Sequence, residues 1–225
     1  MAWTATNSEG YEAPAALAAD VVVLTVRDAR LEALTIDRED GTRALPGGFV
    51  QRHESPEQTA RRVLGDKTGL DAVYLEQLAT FAAPTRDPRG WIPSIAYISL
   101  VPPATQPSDP NARWTSARGR HPLAFDHRAI LRHALDRLEG KLWWSNVAVG
   151  ILPRTFTLSQ AREVYEAIAN TTYDPPTFAR DLRTTGLITP TGSKRTAGPG
   201  RPASLYRFHA KKPQWGAGHR KRITG

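Results

Sequence analysis

The stretch GFVQRHESPEQTARRVLGDKTGL, residues 48–70, decides how this chain folds. It follows Leu45-Pro46 and opens on the pair Gly47-Gly48, a tight turn whose backbone can approach a ligand closely. Ser55 reads as a helix N-cap, Pro56 as the first helical residue, and Gln58 three positions after the cap completes a capping box. Ala60, Val63 and Leu64 recur at helical spacing and face a core, while Gly69 supplies a left-handed stop. A glycine turn feeding a well-capped helix is the expected local structure.

The charges on that helix carry the chemistry. Positions 63, 66 and 67 lie three or four apart, so they share one face. That face offers a valine, one short carboxylate and an ammonium. The stretch resembles the Nudix box of nucleoside-diphosphate hydrolases, G-x5-E-x7-R-E-U-x-E-E-x-G-U, where U is a bulky aliphatic. Gly48, Glu54, Arg62, Leu64, Gly69 and Leu70 fit the pattern at both long gaps. The three acidic core positions are instead Val63, Asp66 and Lys67. The resemblance implies a Nudix-like scaffold with its metal face overwritten, so neither catalytic residues nor metal ligands are assigned.

Outward from the box, charge divides the chain. Residues 1–149 carry 17 Lys and Arg against 18 Asp and Glu, whereas residues 150–225 carry 13 against 4. The whole excess of positive charge lies in the last third, which points to a phosphate polyanion as partner or else to a solvated basic tail. Absence of cysteine excludes disulfides, thiolate zinc sites and a cysteine nucleophile. No run reaches the roughly 18–20 apolar residues of a membrane span, and no signal peptide is apparent. No membrane association is expected, and a cytoplasmic location is.

Four segments follow from composition: a flexible arm over 1–19, a first domain over 20–149, a basic second domain over 150–210 and a basic tail over 211–225. In the first domain, strands are expected from Asp20 to Val26, near Leu31–Ile36, over 72–82 and over 92–101. Between the last two lies PTRDPRGW, residues 84–91, where Arg86, Arg89 and Trp91 form a candidate clamp for an anion and a ring. The alternative is an ordinary loop with Arg86 and Asp87 paired locally. Asp126 reads as the cap of an amphipathic helix carrying Ile130, Leu131, Ala134, Leu135 and Leu138. His127 and His133, six residues apart with no third ligand, read as solvent-facing or capping. Trp143 and Trp144 suit either an interface or a core.

In the second domain Thr157 caps a helix with Leu158, Ala161, Tyr165 and Ile168 on one face. A second helix, roughly Thr177 to Thr185, turns Phe178 and Leu182 inward and leaves Thr177, Arg180, Arg183 and Thr184 for DNA. Leu187-Ile188 begins a strand, residues 189–204 read as a basic loop with Lys194, Arg195 and Arg201, and Leu205–Phe208 returns. Helix, break, helix and two strands around a basic loop is the order of a winged helix-turn-helix. Its second helix fits the major groove, and its wing lies on the adjacent backbone.

The box, the RDPRG loop, LAFDH at 123–127 and GRPASLYRF at 200–208 together resemble the Nudix-related transcriptional regulators, the NrtR family. That resemblance implies an α+β chain: an N-terminal Nudix-like α/β/α sandwich with a mixed sheet and a C-terminal winged helix. It further implies a dimeric repressor of NAD biosynthesis or salvage genes on a palindromic double-stranded operator. ADP-ribose or a related NAD metabolite would be the effector, with no cofactor required. Ligand contacts are then expected at Gly47, Gly48, Glu54, Arg62, Arg86, Arg89 and Trp91. The rival reading is a magnesium-dependent hydrolase of ADP-ribose or a similar diphosphate, in which Glu54, Glu57 and Asp66 hold a weak metal. A third is a single-strand or RNA adaptor, for which the tail offers mainly Trp215.

Overall fold

A computed structural model describes residues 4–6, 8–14, 16–70, 74–196 and 202–210. Contacts divide the chain into two units, Met1–Thr25 with Leu31–Leu135, and Val26–Arg30 with Asp136–Gly225. Among the described residues no helix is long and apolar enough to cross a membrane.

Within the arm expected over 1–19, strands β1 (Thr4–Thr6) and β2 (Glu12–Pro14) pair antiparallel. The first unit is then built on β3, Ala18–Arg27, whose run AADVVVLTV is buried residue after residue. A strand covered on both faces reads as a continuous apolar run rather than an alternating one. Its neighbours are β4 (Arg30–Asp37) and β8 (Ser94–Leu100), the latter parallel to it; the path is completed by β5 (Arg43–Ala44) and β7 (Glu76–Phe81). β6 (Gly47–Phe49) adds to β3 and β9 (Ala112–Ser116) to β4, both antiparallel, so the sheet is mixed. The strands expected over 72–82 and 92–101 are shorter; Ala72 and Val73 fall outside the described residues, and the latter strand begins only after Pro93, which has no N–H for the ladder.

Helix α1, Pro56–Thr68, forms as its sequence dictates. The Ser55 side chain accepts from the Gln58 N–H while Gln58 reaches back to the Ser55 N–H, and Gly69 turns the chain out at φ 68°. Ala60 and Leu64 pack with Ala19, Val21, Val23 and Tyr97 in the core. Period-two alternation sends Asp20 to the opposite face. Helix α2, Leu- and Ala-rich, runs His127–Lys141 and buries Ile130, Leu131, Ala134, Leu135 and Leu138.

The second unit holds α3 (Leu158–Ala169), α4 (Pro175–Thr184) and the hairpin β10 (Ile188–Arg195) with β11 (Ala203–Phe208). Thr157 and Gln160 make a second capping box, and Asn170 ends α3 in the left-handed region. α4 starts two residues before its expected position, because Pro175 and Pro176 fill the first turn, where an absent N–H costs nothing, under an Asp174 cap. The loop expected over 189–204 is a correction: most of it is strand, with the register shifting between Pro190 and Lys194, where Gly192 takes a positive φ of 79°. Trp143 packs edge-on to Tyr165, Tyr173 and Phe178, which ties the residues after α2 to this unit although the shift in composition comes only at 150; Trp144 is exposed.

Candidate functional site

The first unit contains a cleft of about 210 Å³ at the ends of β3 and β6, lined by residues that include Arg38, Gly47, Gly48, Phe49, Lys67 and Phe125. Its floor is a buried polar cluster. The Asp20 carboxylate accepts from Ser94 Oγ at 2.6 Å and from Arg86 at 3.3 Å, and its other oxygen lies 3.5 Å from His127 Nε2. His127 Nδ1 accepts the Leu45 N–H at 2.9 Å, so the ring proton belongs on Nε2, facing Asp20. Burial alone would raise the Asp20 pKa, but the His127 and Ser94 hydrogen bonds and the Arg86 charge outweigh it and hold the carboxyl below its ordinary value.

Gly47 exists for this floor. A Cβ there would stand 1.9 Å from Asp20 Oδ1. Beside it, a Cβ on Gly48 would meet Val63 at 2.9 Å, so the box valine packs into the space left by the glycine pair.

The wall above the floor is a stack of cations and rings. The Arg89 guanidinium lies 5.0 Å from the centroid of Phe49 and 5.3 Å from that of Phe125, and Arg38 lies 4.9 Å from Phe125. Such contacts are each worth about 0.5–1 kcal/mol where exposed. Phe125 holds its ring there from a left-handed backbone, φ 56°, which is strained for a bulky residue. Arg89 is further fixed by two hydrogen bonds from Nε and Nη2 to Asp87, at 2.9 and 2.7 Å.

The expected ligand residues divide. Gly47, Gly48, Arg86 and Arg89 line the cleft together, while Glu54, Arg62 and Trp91 do not. Arg86 is buried and gives four of its five N–H donors to Asp126, Ile92 O and Asp20, so it braces the floor instead of standing free. Asp87 pairs with Arg89, not Arg86, and the Asp126 carboxylate accepts from Arg86. The Trp91 indole donates to Ala82 O at 3.3 Å. Glu54 accepts from Arg62 at 2.6 and 2.9 Å and from Thr59 at 2.7 Å; the Arg62 bonds chiefly hold its carboxyl down to about 2. Reasoning from the sequence missed Asp20, Arg38, Phe49, Phe125 and His127. His127 is a correction: it is buried, because its partners come from β3 and the segment before β6, which local spacing does not show.

Magnesium does not fit the box helix. Val63 is buried in the core, Glu54 is committed to Arg62 and Thr59, and Glu57 pairs with Arg61 at 2.9 Å. Asp66 is exposed and faces Arg62 at 3.7 Å, and the Lys67 ammonium donates to Gly47 O at 2.5 Å. Among the described residues no group of three His, Cys, Asp or Glu is placed to hold a metal.

In the second unit Phe178 and Leu182 of α4 are buried while Thr177, Arg180, Arg183 and Thr184 are turned away from that core. Arg180 pairs with Asp181, and Arg183 donates to the Tyr206 hydroxyl at 3.2 Å. Lys194 and Arg195 are exposed on β10, opposite Ser204 and Ala203. Arg201, Trp215 and the tail from 211 lie outside the described residues.

Comparison with known proteins agrees with this division. Residues 16–134 match the NUDIX domain family and residues 148–208 the NrtR DNA-binding winged helix domain. The chain is 33% identical over 202 residues, 84% of its length and 80% of the relative's, to the ADPR responsive transcriptional repressor NtrR of Acinetobacter baylyi. It is 34% identical to Shewanella oneidensis NrtR in a crystal structure with a 27mer DNA, at a TM-score of 0.74, covering 85% of this chain and 93% of that one. The NUDIX domain of the same Shewanella protein complexed with ADP ribose is 33% identical at a TM-score of 0.50, covering 59% of this chain and 93% of that one.

Proposed function

The chain belongs to the NrtR family of Nudix-related transcriptional regulators, and from that premise we propose that it is a repressor that senses ADP-ribose or a related NAD metabolite. The DNA half of this reading is supported by α4, which turns Thr177, Arg180, Arg183 and Thr184 outward over a Phe178 and Leu182 core. A narrow helix with outward guanidinium groups suits the major groove, and Lys194 and Arg195 on the wing suit the phosphates beside it. Arg201, from the same basic stretch of sequence, is proposed as a further DNA contact. A homodimer on a palindromic operator follows from two-fold symmetry, and genes of NAD biosynthesis or salvage are the proposed targets.

The sensing half rests on the cleft. Relatives are described as ADPR responsive or were crystallised with ADP ribose. Cations for a diphosphate, and the Phe49 and Phe125 rings for a flat group, line one cavity. At about 210 Å³ the cavity is below the ~300–1,000 Å³ that encloses a drug-sized ligand. A diphosphate and the adjoining sugar fill it, and the remainder of a longer ligand lies at its mouth. Since no carboxylate set is left for magnesium among the described residues, the domain binds its ligand without hydrolysing it. A sensor keeps what it binds.

Gel shift of the chain's own upstream DNA is the test, with binding that weakens steeply as salt rises and changes on adding ADP-ribose. No shift at low salt ends the reading. In a parallel assay, ADP-ribose with magnesium yields no AMP; steady AMP release would favour a hydrolase. Thermal shift against ADP-ribose, NAD and nicotinamide mononucleotide identifies the effector by which one stabilises the protein.

A further inference from the structure

Four Lys and Arg side chains line the cleft, and three of them are already paired. Arg86 sits between Asp20 and Asp126, Arg89 makes two bonds to Asp87, and Arg38 pairs with Asp40 at 3.2 Å. Lys67 differs. Its ammonium donates to Gly47 O at 2.5 Å and has no carboxylate within ion-pair distance among the described residues. An ammonium has three donors, so two remain for a ligand. The residue is exposed, yet partial desolvation of its ammonium lowers its pKa. Arg38, Arg62 and Arg89 act on it in the same direction, and Asp20 opposes them. Lys67 thus stands in an excess of positive charge with no carboxylate paired to it.

Position also matters. Lys67 stands on the box helix with Asp66 and Val63, on the face that in a Nudix hydrolase carries metal ligands, and its tip is fixed on the glycine turn at the cleft. We propose that the Lys67 ammonium serves as the counter-charge for a diphosphate in this cleft, in place of a divalent ion, so that ligand binding requires no metal. This deepens the sensor reading and rests on it for the ligand's class. The consequence is concrete: one lysine both excludes the metal that would activate water and supplies the charge that metal would have given to the phosphates. A point charge on a flexible stem suits this task, since it can follow either phosphate group.

A competing role is purely structural, a tether from the last turn of α1 to β6. Calorimetric titration of the full chain with inorganic pyrophosphate, ADP and ADP-ribose, each in EDTA and again with magnesium, separates the two. The wild type is expected to bind in EDTA with no gain from magnesium. Lys67→Met is expected to lose about tenfold in affinity or more, the size of one charge-assisted hydrogen bond, while Lys67→Arg keeps most of it. Wild-type binding that appears only with magnesium overturns the proposal. So does a Lys67→Met protein that binds as the wild type does, or one that loses binding only in step with its melting temperature while Lys67→Arg fails equally. Pyrophosphate binding without ADP-ribose binding would sink the effector reading and leave Lys67 its role; ADP-ribose binding indifferent to Lys67→Met would do the reverse.

Discussion

The floor of the cleft and the outer face of α4 use arginine in opposite ways. Arg86 is buried, with carboxylates on two sides and a carbonyl on a third, whereas Arg180 and Arg183 face outward, each against a single neighbour: Asp181 for the first, the hydroxyl and ring of Tyr206 for the second. A buried guanidinium is useful only when its geometry is fixed, because desolvation must be repaid by well-made bonds. A surface guanidinium keeps its hydration and its reach, and its value appears only when a polyanion arrives. The first unit therefore gains shape from its charges, and the second gains affinity.

The sharpest way to break this contrast is Asp20→Ala. It removes the acceptor of one Arg86 N–H, of the Ser94 hydroxyl and of His127 Nε2, all buried, and should destabilise the protein by about 3–5 kcal/mol, read by chemical denaturation. A loss near zero would mean that the cluster is not the frame of the cleft. The same group sets an acid limit. The folded pKa of Asp20 is depressed, because the His127 and Ser94 bonds and the Arg86 charge outweigh burial, and that of Asp87 is depressed by its Arg89 bonds, again against burial. Their stabilisation is therefore full above the ordinary aspartate value of about 4 and drains away as pH falls below it towards the folded values. Amide exchange across β3 should accelerate in that window, and Asp20→Asn should remove much of the pH dependence; an Asp20→Asn protein as acid-sensitive as the wild type would refute the assignment.

On the other side of the contrast, Arg180→Ala and Arg183→Ala should leave thermal stability almost unchanged. Each should weaken operator binding by about 1–3 kcal/mol if its side chain reads a base. Titration of labelled operator by anisotropy measures it, and unchanged affinity in both variants would remove α4 from the interface.

The same contrast explains what could be read without coordinates. The Ser55–Gln58 capping box, the Thr157 cap, the Gly69 stop and the inward Phe178 and Leu182 depend on residues within a few positions of one another, and the segregation of basic charge on composition, so pattern alone conveys them; Gln160 closing a second box on Thr157 is seen only in the structure. Arg86 read as a free clamp because its loop neighbours gave no hint of Asp20, 66 residues away, or of Asp126, 40 residues away. Phe125 belongs to a stretch already singled out, LAFDH, yet only its left-handed backbone and the arrival of Arg38 and Arg89 give the ring a purpose. The wing strands are expected at Leu187-Ile188 and Leu205–Phe208, but their extension into residues 189–204 was hidden because the glycine, proline and exposed polar residues there suit a loop, and cross-strand pairing carries the hairpin through them.

The smallest effects test whether the two units differ in local construction as well as in their use of charge. Ser55 with Gln58 and Thr157 with Gln160 make the same reciprocal pair of hydrogen bonds, one box in each unit. Ser55→Ala and Thr157→Ala should each cost about 1 kcal/mol, measured by denaturation with separate probes for each unit. Ser55 caps the helix that carries Lys67, so a larger loss there, accompanied by weaker pyrophosphate binding, would mean that the helix start and the cleft are energetically linked. Equal small losses would instead place the difference between the units wholly in their charges, since the helices that present those charges would be started by one device of one strength.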